Sequence, residues 1–242
     1  MSKEKFFLGY PVEFKKLCLV YPPKLKDVVG ESYSVYAKML TISQEEIEDE
    51  YNEKGALPDK VPTPMEYLLA NSYHNKEFNA IAKRAFELFI HEPVNFLYEQ
   101  KAILIGELEK GMNIKSLRIL KEEDYFDFQN LVREAVGDKR IEPPNPDEDP
   151  RVRRIKAKAR YRDRIKMKKG MGINLLTVMA SICCMEIGLS PLNIGELSYA
   201  ATTVLIGMYQ QKESYKLDTD SLLAGADSKK VKPKYWIRNL ED

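Results

Sequence analysis

The chain has few of the residues that most often build chemistry. Its 242 residues include two histidines, three cysteines and one tryptophan. A zinc site needs three or four ligands held tetrahedrally. His74 and His91 stand 17 positions apart with no partner at ligand spacing, so both are expected to pack or cap. Cys183 and Cys184 are adjacent and the third cysteine is distant, which makes neither a disulfide framework nor a redox pair. Core packing is the expected role of the pair, and a reducing cytoplasm is the default compartment. No run approaches the roughly 18 apolar residues of a membrane-spanning helix, so no membrane association is expected. Met1–Lys5 is followed by only a short apolar run and two more lysines, and is not expected to act as a secretory signal. The Gly-rich phosphate loop, the Gly-x-Gly-x-x-Gly turn and the Gly-x-Ser-x-Gly elbow are all missing. The acids between Glu45 and Glu53 lack the alternating Asp loop and glycine that Ca²⁺ geometry needs, so a solvated acidic face is expected there. A non-enzymatic protein without cofactor or metal follows as the expectation.

Hydrophobic residues make up 44% of the chain and charged residues 31%. That suits a globular protein long enough to bury a sizeable core. The net charge of +1 is the sum of two unlike parts. Residues 1–150 hold 20 Lys and Arg against 28 Asp and Glu, a net of −8. Residues 151–242 hold 18 against 9, a net of +9. Two functional regions are implied.

The pattern predicts a mainly α chain with a few short β-strands in its N-terminal part, an α+β arrangement in two parts. Residues 1–140 read as an acidic α+β domain. Two short strands are expected between Phe6 and Val29, punctuated by Pro11, Pro22 and Pro23. Ser32 to Leu40 suits helix or strand. Ser43 caps an acidic exposed helix that stops before Gly55. Thr63, Pro64 and Glu66 form a helix start with cap, first-turn proline and capping box, followed by Met65, Leu68, Leu69 and Tyr73 at helical spacing. A second helix from Lys76 to His91 carries the stripe Phe78, Ile81, Ala82, Ala85, Phe86 and Phe89. His91 falls in its last turn, where partial positive charge is favourable. Asn95 to Leu108 suits strand or helix, Lys115 to Leu120 a short strand, and Glu122 to Val136 a helix closed by Gly137.

Residues 141–150 hold four prolines and four acids and form a linker without regular structure. Residues 151–169 read as a basic connector helix, with 11 Lys and Arg and one acid, Asp163. Residues 170–242 read as a small helical domain. In it, Ile173 to Ile187 is a buried helix, Ser190 caps the next element, Ile194 to Tyr209 is an apolar helix, and Tyr215 to Leu223 is a short amphipathic piece. Four methionines between Met171 and Met208 suit either a two-helix core or an adaptable binding surface. Tyr235 and Trp236 form an aromatic anchor near the end.

The basic segment is the strong electrostatic feature. Eleven cations on about 28 Å of helix can neutralise several phosphates, and such binding falls steeply with salt. Tyr161 alone interleaves the cations, so stacking platforms for single strands are missing. Docking on an acidic protein surface, including the chain's own acidic half, is the favoured alternative, and a plain solvated connector is a third. Arg153, Arg154, Arg160 and Arg164, with Tyr235 and Trp236, are the candidate partner-binding residues.

Three stretches carry a resemblance. The first is the N-terminal pattern at 7–14 and 19–29, ahead of an acidic helical region. The second is the joined basic segment 151–169, and the third is the ending at 222–240. Together these resemble the tail assembly chaperones of long-tailed phages and prophages of Gram-positive bacteria. The resemblance is diffuse, covers most of the chain and carries no catalytic motif. It implies a protein of the host cytoplasm that binds tape-measure and tail-tube proteins during assembly and is absent from the mature particle. Residues 1–140 would bind the tape measure and 151–242 the tube, with self-association a further expectation. Many members of that group occur in short and long frameshifted forms. A nucleic-acid-binding phage or regulatory protein using 151–169 is the alternative.

Overall fold

A computed structural model describes residues 2–28, 33–53, 61–107, 117–143, 145, 148–168, 175–185 and 187–237, with all side chains but those at 33, 34, 150, 153, 154, 163, 164 and 166–168. Among the described residues helix accounts for 59% and strand for 10%, so the fold is mainly α. Its two small antiparallel sheets lie in the N-terminal half, as the sequence pattern predicts.

Local rules fix the central helices. Helix α5 (Pro64–His74) starts at Thr63, whose Oγ1 accepts from the Glu66 amide while the Glu66 carboxylate accepts from the Thr63 amide, both at 3.2 Å. That reciprocal pair satisfies donors a helix start leaves open. Asn75 ends α5 and caps α6 (Lys76–Ile90) by accepting from the Glu77 and Phe78 amides. The two helices form a tight hairpin. His91 closes α6 at φ 56°, a left-handed C-cap, and its ring stacks on Tyr21 at 4.0 Å. Pro93 follows.

Strands β1 (Val12–Phe14) and β2 (Cys18–Val20) form a hairpin with Phe14 opposite Cys18. Strands β3 (Val94–Leu97), β4 (Ala102–Ile105) and β5 (Arg118–Lys121) form the second sheet in that order. The stretch that suits either helix or strand is therefore a β-hairpin. Lys101, at φ 47°, turns it, and the four residues of the central strand β4 are all buried. Helix α7 (Glu122–Ala135) continues directly from β5. It ends before Gly137, at φ 76°, where a side chain would come within 2.7 Å of Thr203.

Aromatic rings join these elements. Phe128 of α7 stacks on Phe86 of α6, and Phe14 of β1 meets it edge-on, each at 5.6 Å. Burying one such ring contributes about 1.5–3 kcal/mol. Helix α3 (Tyr33–Thr41) packs on α6 and α7. Its C-terminal end is held by Gln129, whose Nε2 donates to the carbonyls of Leu40 and Ile42 at 3.0 Å. Helix α4 (Gln44–Glu53) follows, capped by Ser43.

The basic helix is α8 (Pro150–Lys168), within one residue of its predicted span. Beyond it the expected layout needs correction. The expected buried helix is α9 (Leu175–Cys183), in which Ile182 alone is fully buried and Leu176 is 74% exposed. Leu175, Val178, Met179 and Cys183 pack half-buried against the core, while Leu176, Thr177, Ala180 and Ser181 are exposed. Cys183 is half-buried and Cys184 exposed, so the cysteine pair is not a core pair. The helix expected from Ile194 begins instead at Tyr199, because Ser198 caps it by accepting from the Ala201 amide. It then runs unbroken to Leu223 as α10 and absorbs the expected short amphipathic piece.

Nor do residues 170–242 keep a core of their own. Ile182, Met185, Ile194 and Ala200 join the same buried cluster as Phe6, Phe14 and Leu25. The backbone is stitched across: the Leu25 amide donates to Leu197 at 2.9 Å, the Tyr199 amide to Pro23 at 2.8 Å, and the Ser198 hydroxyl to Phe6 at 2.9 Å. A helix α1 (Ser2–Phe7), against which α10 rests, and a short turn α2 (Leu25–Val28) complete the fold.

Candidate interaction surface

Helix α4 carries the acids predicted as a solvated face. Two of its residues, Ile47 and Asp49, are nevertheless buried. Glu45 and Asp49 stand four positions apart, which puts them on one face. Arg160 of α8 grips that face. Its Nε and Nη2 donate to the Asp49 carboxylate at 2.6 and 3.2 Å, and its Nη1 donates to Glu45 at 2.5 Å. The planar fork of arginine fits a carboxylate in this way. The Asp49 bonds hold the guanidinium even further above its ordinary range. One turn earlier on α8, Lys156 is hydrogen-bonded to Glu148 of the linker. The basic helix thus docks one edge on the chain's own acidic part.

The rest of α8 faces outward. Arg151, Lys158 and Arg162 are exposed and make no ion pair among the described residues, and Ile155 and Tyr161 are 67% and 51% exposed. Arg153, Arg154 and Arg164 lie on the same helix, and their side chains fall outside the described ones. Tyr235 is 60% exposed and meets Tyr215 of α10 edge-on at 5.7 Å, with Trp236 beside it at 6.4 Å. The structure therefore ties Arg160 to the acidic body and Tyr235 to α10, and does not bring the two together in one site.

Sequence reasoning missed Glu45, Asp49, Glu148 and Lys156 as partners of this contact. The signal available was the matched four-residue spacing of Glu45 with Asp49 and of Lys156 with Arg160. Behind the contact lies a cavity of about 850 Å³ bounded by α4, α5, α7, the linker and α8. A shallower groove of about 760 Å³ runs between α5 and the β3–β4 turn.

Among the described residues no group of three or more His, Cys, Asp or Glu side chains is placed to hold a metal ion. His74 lies edge-on to Tyr73. No helix among them is long and apolar enough to cross a membrane. Comparison of the chain with protein families, with curated proteins and with solved structures returned no match.

Proposed function

We propose that this protein is a non-enzymatic binding protein, a phage tail assembly chaperone that engages tape-measure and tail-tube proteins while the virion is built. One observation carries the partner-binding part of this reading. From Thr203 to Leu223 helix α10 has no fully buried residue; Ile206 and Tyr209 pack half-buried against the core, while Leu217 and Leu223 are exposed and Leu205, Met208 and Leu222 half-exposed. Most helical stability in proteins comes from packing an apolar face, and exposed apolar helix residues can be covered in a groove or by a second helix. A long, largely helical partner would cover it, and many weak copies along one filament would bind through avidity. The assembly role itself rests on the resemblance.

The nucleic-acid reading keeps one supporting observation, the exposed cations Arg151, Lys158 and Arg162, which make no ion pair among the described residues. Arg160 speaks against it, because its fork is already engaged by carboxylates.

The test is affinity purification of the tagged protein from cells expressing its native gene neighbourhood, with nuclease treatment and mass spectrometry. Stoichiometric recovery of a very long helical protein or an abundant tube subunit is expected. Recovery of nucleic acid alone, lost on nuclease treatment, transfers the function to α8. Charge reversal at Arg151, Lys158 and Arg162 is the companion variant, expected to abolish any capture of nucleic acid while leaving the fold and the capture of a protein partner on α10. Reversal at Arg160 would break the contact with α4 as well.

A further inference from the structure

Helix α10 ends in a reversal of the chain. The Gly225 amide donates to Leu222 and the Ala226 amide to Ser221, both at 3.0 Å, with Gly225 at φ 93°. This is a Schellman closure, and its left-handed residue suits glycine. The Lys230 and Val231 amides then close a turn on the Asp227 carbonyl. From there the chain runs back along the helix. Tyr235 reaches Tyr215, about 12 Å before the helix end at Leu223, and meets its ring edge-on at 5.7 Å. Val231 and Pro233 are half-buried, while Lys230, Lys232 and Lys234 are exposed. A period of two is what an extended segment shows when one side rests on a surface.

The helix side of this contact is regular. No apolar residue of α10 after Tyr209 packs on the core. Gln211, Tyr215, Asp218 and Leu222 are nevertheless half-buried, and Val204 and Met208 continue the line backwards. Alternating spacings of four and three make this a coiled-coil seam, about 27 Å long. Glu213 and Thr219 are the other half-buried residues beyond Gln210, while Lys212, Lys216 and Leu217 are exposed. The half-buried line thus coincides with the stretch that the returning segment reaches at Tyr215.

We propose that residues 231–236 are a strap that covers the C-terminal half of this seam in cis, and that a partner helix with its own apolar four–three seam docks there by displacing it. The inference deepens the partner-binding reading of α10 and rests on it. The strap is held loosely. No backbone hydrogen bond joins residues 232–237 to α10, and Tyr235 and Ile237 remain 60% and 59% exposed. An extended segment covers one line of side chains. A second helix fills the holes on both flanks of a seam with its own knobs. The strap therefore shields the seam in the free protein and lowers a partner's apparent affinity by the fraction of molecules in which it is open.

Trp236 is the one tryptophan of the chain and lies half-buried beside Tyr235, so its fluorescence reports the strap. The full-length protein is compared with the double variant Val231→Ser, Tyr235→Ser, which removes apolar contacts outside the buried core. Both are titrated with a fluorescein-labelled, tryptophan-free helical peptide of three heptads with Leu at every a and d position. Binding is read by anisotropy, and Trp236 by acrylamide quenching. Trp236 should be shielded in the free wild type and open to quencher in the variant. Saturating peptide should bring wild-type quenching to the variant's level. The variant should bind about tenfold more tightly, the factor set by a strap closed in about nine molecules of ten.

Equal affinity in the two proteins, or peptide binding that leaves wild-type Trp236 shielded, overturns the strap and keeps the α10 reading. Equal quenching of the two free proteins overturns it before any peptide is added. Binding to neither protein, with Trp236 freed in the variant, removes the α10 docking reading and the strap's role with it. The control Lys232→Ser, Lys234→Ser changes exposed residues of the same segment and should bind as wild type. A tenfold gain there would place the effect in charge and overturn the strap.

Discussion

The body formed by residues up to about 140 and the helices that follow it solve the problem of apolar surface in opposite ways. The twelve largest fully sealed side chains, from Phe6 to Phe128, all belong to the body. The later helices attach through a few residues, Ile182, Ile194, Ala200 and Ala201, and through the hydrogen bonds around Ser198. Yet α9 is one of the most apolar segments of the chain, and Leu176, Leu192 and Leu223 stand 74%, 98% and 83% exposed. Apolar composition therefore marks stability in the body and available surface in the C-terminal helices. The difference is topological. In the body, helices and strands close on one another from several sides, whereas α9 has one principal neighbour.

The largest effect that tests this contrast is a cavity in the body. Phe128→Ala removes the ring shared by Phe14, Phe86 and Tyr125, and should cost about 3–5 kcal/mol in urea unfolding. Leu217→Ala on α10 should stay within about 0.5 kcal/mol. Equal losses at the two positions would end the distinction between body and arm. A smaller effect is expected where the two regions touch. Arg160→Ala removes three charged hydrogen bonds to Glu45 and Asp49 and should cost about 2 kcal/mol locally. Hydrogen exchange should quicken along α8 while amides of α6 and α7 keep their protection. A variant that speeds exchange everywhere would mean that the α4–α8 contact supports the body itself.

Elements announced by short-range chemistry were legible in the sequence. Thr63 with Glu66, the apolar stripe from Phe78 to Phe89, Gly137 and the Pro/acid linker placed α5, α6, α7 and α8 nearly to the residue, because caps, glycines and helical spacing act over one or two turns. The hairpin of β3 and β4 stayed ambiguous because Ala102 to Ile105 is apolar at every position, which erases the two-residue alternation of a half-buried strand. The later helices misled for a different reason. Apolar content around α9 says that burial would be favourable, and only the tertiary arrangement says that one face packs on the core while Leu176 stays exposed. The α4–α8 contact was legible as opposite charge on two segments but not as a pairing. Its residues lie 111 and 115 positions apart, and nothing local encodes such a meeting.

The smallest expected effect probes the stitch between body and arm from the charged side. Glu196, in the 3-10 turn before α10, accepts from Lys24 at 2.8 Å and from Lys26 at 2.6 Å. The Lys24 and Lys26 bonds pull its carboxyl down to about 2, from an ordinary value of 4.5. A carboxyl whose folded pKa is depressed contributes its stability above the unfolded pKa and loses it as pH falls through the folded one. The contribution of Glu196 is therefore complete above about pH 4.5 and fades between pH 4.5 and 2. The group is solvent-exposed, so salt screens it and the gain is small. Glu196→Gln should flatten the acid limb of a stability-versus-pH curve in that window and leave the curve near pH 7 only slightly lower. The same variant in high salt should match wild type. A variant curve that falls just as steeply as wild type would assign acid sensitivity to the body instead, and would leave the hydrogen bonds of the Leu25 and Tyr199 amides and the Ser198 hydroxyl as the stitch that holds the arm.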